Sequence, residues 1–289
     1  MLVDTAKQDI IGRIESLPTL PVVMTQLLAL INNPKSNMSQ ISLVISRDQA
    51  IASRVVRMVN SAYYGLPTRV TSIQHAIVIL GLNTVKNLTL GASVVETFNE
   101  SNNHASLFNR ELFWLHCFST AMCSQLLAAH LKKNQPEDYF LAGLLHDIGI
   151  LIEDQFLHED FKNILAYGKE KKCGLPEAEM AVLGCTHCEI GALVAEKWKI
   201  PSFLHAVLKH HHQPLFLPQD ALPVSDLILL THIADGIVRQ NGLGEFFTGW
   251  KTSFLPGTPN RLELSPDAIQ SIFSRVVVEA KSLMTEWGL

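Results

Sequence analysis

Charge is sparse in this chain of 289 residues, and what there is nearly cancels: 23 Lys and Arg stand against 27 Asp and Glu, a formal net charge of −4. Such a balance offers no global attraction for nucleic acid or anionic lipid, so neither is an expected partner. Cysteine is also scarce. Five thiols, odd in number and irregular in spacing, fit a reducing compartment in a chain long enough to need no staples. No apolar run approaches the ~20 residues of a membrane span. The opening "MLVDTAKQDIIGRIESLPTLP" places acids and a Lys where a signal peptide needs an uninterrupted apolar stretch. A cytoplasmic protein without membrane contact is the expectation. Strand-like alternation is rare, and repeats, low-complexity tracts and Gly/Ser linkers are missing.

Apolar residues at helical spacing are abundant. Hydrophobic residues make up 47% of the chain and charged residues 17%, which suits a globular protein with a sizeable core. Leu27, Leu28, Leu30 and Ile31, then Ile41, Val44 and Ile45, then Ala52, Val55, Val56 and Val59 follow the helical period. Polar punctuation divides these runs: Ser39 and Ser72 read as N-caps, and Pro136 falls early in a new helix. Roughly a dozen helices result by this punctuation, an all-α class. The stretch "NESNNHASLFNR" at 99–110 breaks the period. It splits the chain into an N-terminal helical lobe, residues 1–105, and a C-terminal one, residues 106–289. A second irregular stretch, "NGLGEFFTGWKTSFLPGTPNR" at 241–261, is too aromatic for a linker and is expected to fold back on the body.

The chemistry concentrates in the second lobe. "LAGLLHDIGILIEDQF" at 141–156 sets His146 beside Asp147 in an apolar run, and His116, His187, His211, His212 and Asp235 also sit on or beside apolar helices. A single buried His is usually a hydrogen-bonded core residue. Seven buried polar groups without partners would be costly, and together they suit a centre for Fe, Mn, Zn or Ni, with one or two ions. Adjacent His146 and Asp147 can then send both side chains to one ion, or Asp147 can bridge two. Other features have plainer readings. "CTHC" at 185–188 has no second pair and reads as structural thiols; "KEKKC" at 169–173 reads as a solvated helix end; and His75, His104, His130, His158, His205, His210 and His232 read as surface or core residues.

The ordered set H…HD…H…HH…D resembles the HD metal-dependent phosphohydrolase superfamily, and most closely its HDOD branch. "LPTLPVV" at 17–23, "ISRDQAIASRVVRMVNSAYYG" at 45–65 and "SIQHAIVILGLNTVKNL" at 72–88 are similar to HDOD signatures, and the resemblance spans residues 10 to about 240. It implies two packed helical lobes, the second like an HD bundle, with His116, His146, Asp147, His187, His211, His212 and Asp235 as metal ligands. Departures from the related HD-GYP phosphodiesterases are specific. Ile150 stands where their HDIGK motif has Lys, "HHQPLFLP" lacks Glu, DG and GYP, and Leu112 replaces the glutamate of trimetal relatives. The resemblance therefore implies a bacterial regulatory module acting through signalling proteins. The alternative is a phosphohydrolase in which His116 and Asp147 serve catalysis on a phosphoester or nucleotide. In the first lobe, "RVVRMVNSAYYG" is equally readable as a partner surface or as packing between lobes.

Overall fold

The computed structural model describes residue 12 and residues 22–31, 33, 35–100, 107–247 and 264–289, and these are all-helical, with no strand among them. The "LPTLPVV" opening, His104 and residues 248–261 of the second irregular stretch lie wholly or mostly outside the described residues. The first lobe comprises α1 (Val22–Ile31), α2 (Met38–Ser46), α3 (Gln49–Val59), α4 (Ile73–Leu80) and α5 (Leu82–Glu100). Ser72 caps α4 as expected, accepting from His75 N at 3.1 Å. The cap of α2 is Asn37 rather than Ser39. Asn37 accepts from Gln40 N at 3.0 Å and the Gln40 side chain accepts from Asn37 N at 3.0 Å, a reciprocal pair that starts the helix two residues earlier.

The "NSAYY" segment is used for packing. Asn60 donates to Val56 O at 2.7 Å and Val70 O at 2.8 Å and accepts from Val70 N at 2.8 Å, tying the end of α3 to the loop beyond it. The Tyr63 hydroxyl meets Gln125, which lies in the second lobe.

That lobe runs through α6 (Arg110–His130), α7 (Pro136–Leu145), α8 (Ile148–Phe156), α9 (His158–Lys171), α10 (Leu175–Val182), α11 (His187–Lys197), α12 (Ser202–His210), a 3-10 turn at Gln219–Val224, α13 (Ser225–Gln240) and α14 (Pro266–Glu286). Pro136 is in the first turn of α7, where its missing N–H costs nothing. Helix α6 is the axis, with α7, α13 and α14 packed around it, while α8 lies on α11. Two stretches, Arg110–His130 and Gln219–Gln240, are long and apolar enough to cross a membrane, contrary to the sequence expectation. Short polar residues such as His116, Ser119 and Asp235 interrupt them without lowering their mean apolarity enough. In this fold 72% and 67% of their apolar windows are buried inside the protein. The described residues carry no disulfide.

Candidate metal centre

The adjacent His146 and Asp147 occupy a sharp break between two helices. His146 ends α7, and Asp147, at φ −100° and ψ 16°, stands at the head of α8. His146 Nδ1 donates to Gly143 O at 2.8 Å, which leaves Nε2 pointing toward the Asp147 carboxylate. Gly149 fixes the depth of this turn: a Cβ there would lie 2.0 Å from the His187 carbonyl oxygen. Only a bare backbone lets the start of α8 lie against the start of α11. His116 comes from the middle of α6, Asp235 from the middle of α13, His187 from the first residue of α11, and His211 and His212 from just beyond α12. The fold thus brings together all seven side chains singled out in the sequence.

They form two adjoining clusters that share one carboxylate. In the first, Asp235 Oδ1 lies 3.0 Å from His116 Nε2 and 3.6 Å from His146 Nε2. Asp147 Oδ2 lies 3.2 Å from His146 Nε2 and 3.7 Å from His116 Nε2. In the second, Asp147 Oδ1 lies 3.4 Å from His187 Nε2 and 3.3 Å from His211 Nε2, while His212 Nε2 is 3.2 Å from His187 Nε2. Tetrahedral bonds of ~2.1 Å to N or O donors give ligand-to-ligand edges of about 3.4 Å. Both clusters have that spacing. His116 Nε2 and His146 Nε2 in the first cluster, and Asp147 Oδ1 facing the second, are buried atoms without a hydrogen-bond partner, and such orphaned polar atoms in each cluster call for a cation. The donor set therefore fits a transition metal.

Surrounding groups aim these donors. The Glu179 carboxylate, on α10, accepts from His187 Nδ1 at 2.8 Å and from His187 N at 2.9 Å, so Nε2 faces inward. His211 Nδ1 is directed to the Leu208 and Val207 carbonyls at 3.1 and 3.2 Å. Such outer contacts set the tautomer and hold the ring. Burial opposes charge on both aspartates, yet His146 and Arg239 hold Asp147 well below the carboxylate range, and Arg239 and His116 do the same for Asp235. Burial, reinforced by Arg239, pushes His116 down to about 4. At His211 burial is outweighed by the Cys188 thiolate and Asp147, which raise it to about 10. Positive charge is needed here, on a ring or on a metal.

Three neighbours of the site were not read as part of it in the sequence: Arg239 and Glu179 were not singled out, and Cys188 was read as a structural thiol. Arg239, one turn after Asp235, donates from Nε to Asp235 Oδ1 and from Nη2 to Asp147 Oδ2, both at 2.5 Å. Its i,i+4 spacing from Asp235 was the available clue. Cys188 Sγ lies 3.8 Å from both ring nitrogens of His211, so this half of "CTHC" adjoins the second cluster. Glu179 lies eight residues before His187, in a separate helix, and nothing local marks it.

The clusters open on a cavity of about 790 Å³ lined by His116, His187, His212, Asp235, Arg239 and Lys172, among others. Phe246, from the described start of the second irregular stretch, folds back as expected and places its ring 5.5 Å from that of His116. Gly244, at φ +73°, permits the approach: a Cβ there would lie 2.4 Å from His116 N. Ile150 is buried in the core, away from the cavity, and Leu112 lies half-buried against that core.

A structure from Shewanella amazonensis SB2B, provisionally named a phosphohydrolase, is 26% identical with a TM-score of 0.72 over 96% of both chains. One from Marinobacter aquaeolei VT8, provisionally named a signal transduction protein, has a TM-score of 0.75 at 22% identity, over 99% of this chain and 65% of that one. An uncharacterized protein of Treponema pallidum (strain Nichols) is 24% identical over 225 residues, covering 78% of this chain and 43% of its own. The chain spans less than half the length of the curated relatives it matches. The HDOD domain model matches residues 17–214, which takes in both the first-lobe signatures and the ligand run from His116 to His212. With more than half its length matched in this way, the chain belongs to the HDOD family.

Proposed function

We propose that this protein is a regulatory module in signal transduction, built around an HD-type metal centre and acting through protein partners. The observation that carries this reading is Arg239. Its guanidinium forks between Asp147, the carboxylate that both clusters share, and Asp235 of the first cluster, and a fixed cation there disfavours a second dication by like-charge repulsion. Ile150 offers no charge to phosphate where the HD-GYP phosphodiesterases have Lys. When bound, a divalent ion supplies Lewis acidity to an oxygen that reaches it. The chain's own groups hold the ligands in register from α6, α7, α8, α11, α12 and α13, so occupancy of the centre is coupled to the packing of six helices.

The cavity supports a second reading, a metal-dependent phosphohydrolase. His116, His187 and Asp235 border it together with two cations, Lys172 and Arg239, an arrangement suited to a phosphoester or nucleotide. In that reading His116 or a neighbouring imidazole helps proton transfer.

Metal content and turnover together separate the two. Protein purified without chelator is expected to hold transition metal, with most of it lost in Asp147→Ala because one carboxylate serves both clusters. Cyclic di-GMP, with Mn or Fe supplied, should be hydrolysed slowly or not at all. Turnover at ~1 per second or faster, abolished by His146→Ala and Asp147→Ala, would replace the module with the enzyme.

A further inference from the structure

We propose that Cys188 is a thiolate ligand in the cluster of His187, His211 and His212, which makes this half of the centre selective for a thiophilic divalent ion such as zinc, iron(II) or cobalt over manganese or magnesium. The inference deepens the metal-centre reading and rests on it. Cys188 is the second residue of α11 and is buried. Its Sγ, with one ligand atom each from His187, His211 and His212, forms a group whose members all lie within 4.8 Å of one another.

The spacing suits a mixed sulfur and nitrogen site. Bonds of ~2.3 Å to sulfur and ~2.0–2.1 Å to nitrogen at tetrahedral angles give a sulfur-to-nitrogen edge of about 3.6 Å and a nitrogen-to-nitrogen edge of about 3.3 Å. Cys188 Sγ lies 3.8 Å from His211 Nε2, and His187 Nε2 lies 3.2 Å from His212 Nε2. An independent marker points to a cation at the same place: Asp147 Oδ1 is buried without a hydrogen-bond partner while facing His187 and His211 at 3.4 and 3.3 Å. Three imidazoles and a carboxylate alone would be a borderline-to-hard donor set. A thiolate shifts that preference toward softer ions. Sulfur binds the metal as the thiolate, so any proton still on Cys188 leaves to solvent as the ion binds. The first cluster, made of His116, His146, Asp147 and Asp235, has no sulfur, so the two halves of the centre differ in chemistry.

The full chain, stripped of metal and reloaded with Co²⁺ under anaerobic reducing conditions, provides the test through its absorption spectrum. An intense near-ultraviolet thiolate-to-cobalt charge-transfer band is expected beside the visible ligand-field bands. Cys188→Ser should lose the charge-transfer band and keep the visible ones, and Cys185→Ala should keep both. Visible bands without charge transfer in the wild type, or charge transfer that survives Cys188→Ser, would overturn the inference and leave the metal centre standing. Failure to bind cobalt at all would overturn the metal centre itself. Should Cys188→Ser not fold, the wild-type spectrum and that of Cys188→Ala still decide.

Discussion

Arg239 illustrates how one side chain changes the meaning of a set of metal-binding residue types. Its head contacts both aspartates at 2.5 Å while the side chain is only 21% exposed, so it neutralises carboxylates that burial would otherwise penalise. A dication does the same work. Arg239→Gln should therefore cost about 2–4 kcal/mol in chelated protein, where the carboxylates lose their cation, and much less with metal present. Thermal melting with and without chelator measures this directly, and an equal loss in both conditions would count against any competition between guanidinium and metal. At this scale the sequence was informative about which side chains the fold brings together, because seven polar groups among Leu, Ile and Ala need a common partner. It was silent about Glu179 and ambiguous about Cys188, since the first is linked to His187 only through the fold and a thiol is equally at home in a core.

Helices carry these residues, and where two helices touch decides whether the centre closes. The Gly149 contact with the His187 carbonyl is the tightest of these approaches, at 2.0 Å for an added Cβ, whereas a Cβ on Gly191 would meet Leu208 Cδ2 at an ordinary 3.5 Å. Gly149→Ala must push α8 from α11 and move Asp147 relative to His187. A loss of about 3 kcal/mol or more is expected, with metal affinity falling alongside it. Gly191→Ala should do little to either. Denaturant melts and metal titrations of the two variants make the comparison, and a Gly149→Ala protein that keeps wild-type stability and affinity would contradict the close packing. Helix existence was legible from periodicity, and Ser72 and Pro136 from their cap chemistry. The start of α2 was not, because Ser39 and Asn37 are both good caps and only the answering bond from Gln40 chooses between them. The apolar stretches Arg110–His130 and Gln219–Gln240 were missed for another reason: single polar residues such as His116 and Asp235 break the uninterrupted run while the mean over the window stays apolar.

For the whole molecule the question is whether the lobes act as one. A single hydrophobic cluster runs from Met24 to Trp287, α5 packs on α7, and α14 lies on α6 while reaching α3. Trp287 is placed where these meet. Its ring stands edge-on to Phe118 at 4.8 Å and tilted toward Phe140 at 6.2 Å, and a Cβ on Gly91 of α5 would come within 2.9 Å of it. One side chain after the last helix thus touches α5, α6 and α7. Period and punctuation revealed two helical stretches but not this closure, since contact between residues 91 and 287 leaves no trace in local pattern. If regulation works by coupling the centre to the surface facing partners, the lobes must share stability. Calorimetry should then give one transition whose van't Hoff and calorimetric enthalpies agree. Trp287→Ala should lower that transition as a unit by about 3–5 kcal/mol, the usual cost of emptying a large aromatic site. Two resolved transitions, with only the later one moved by the substitution, would mean that the first lobe folds on its own and that metal binding in the second has no mechanical route to it.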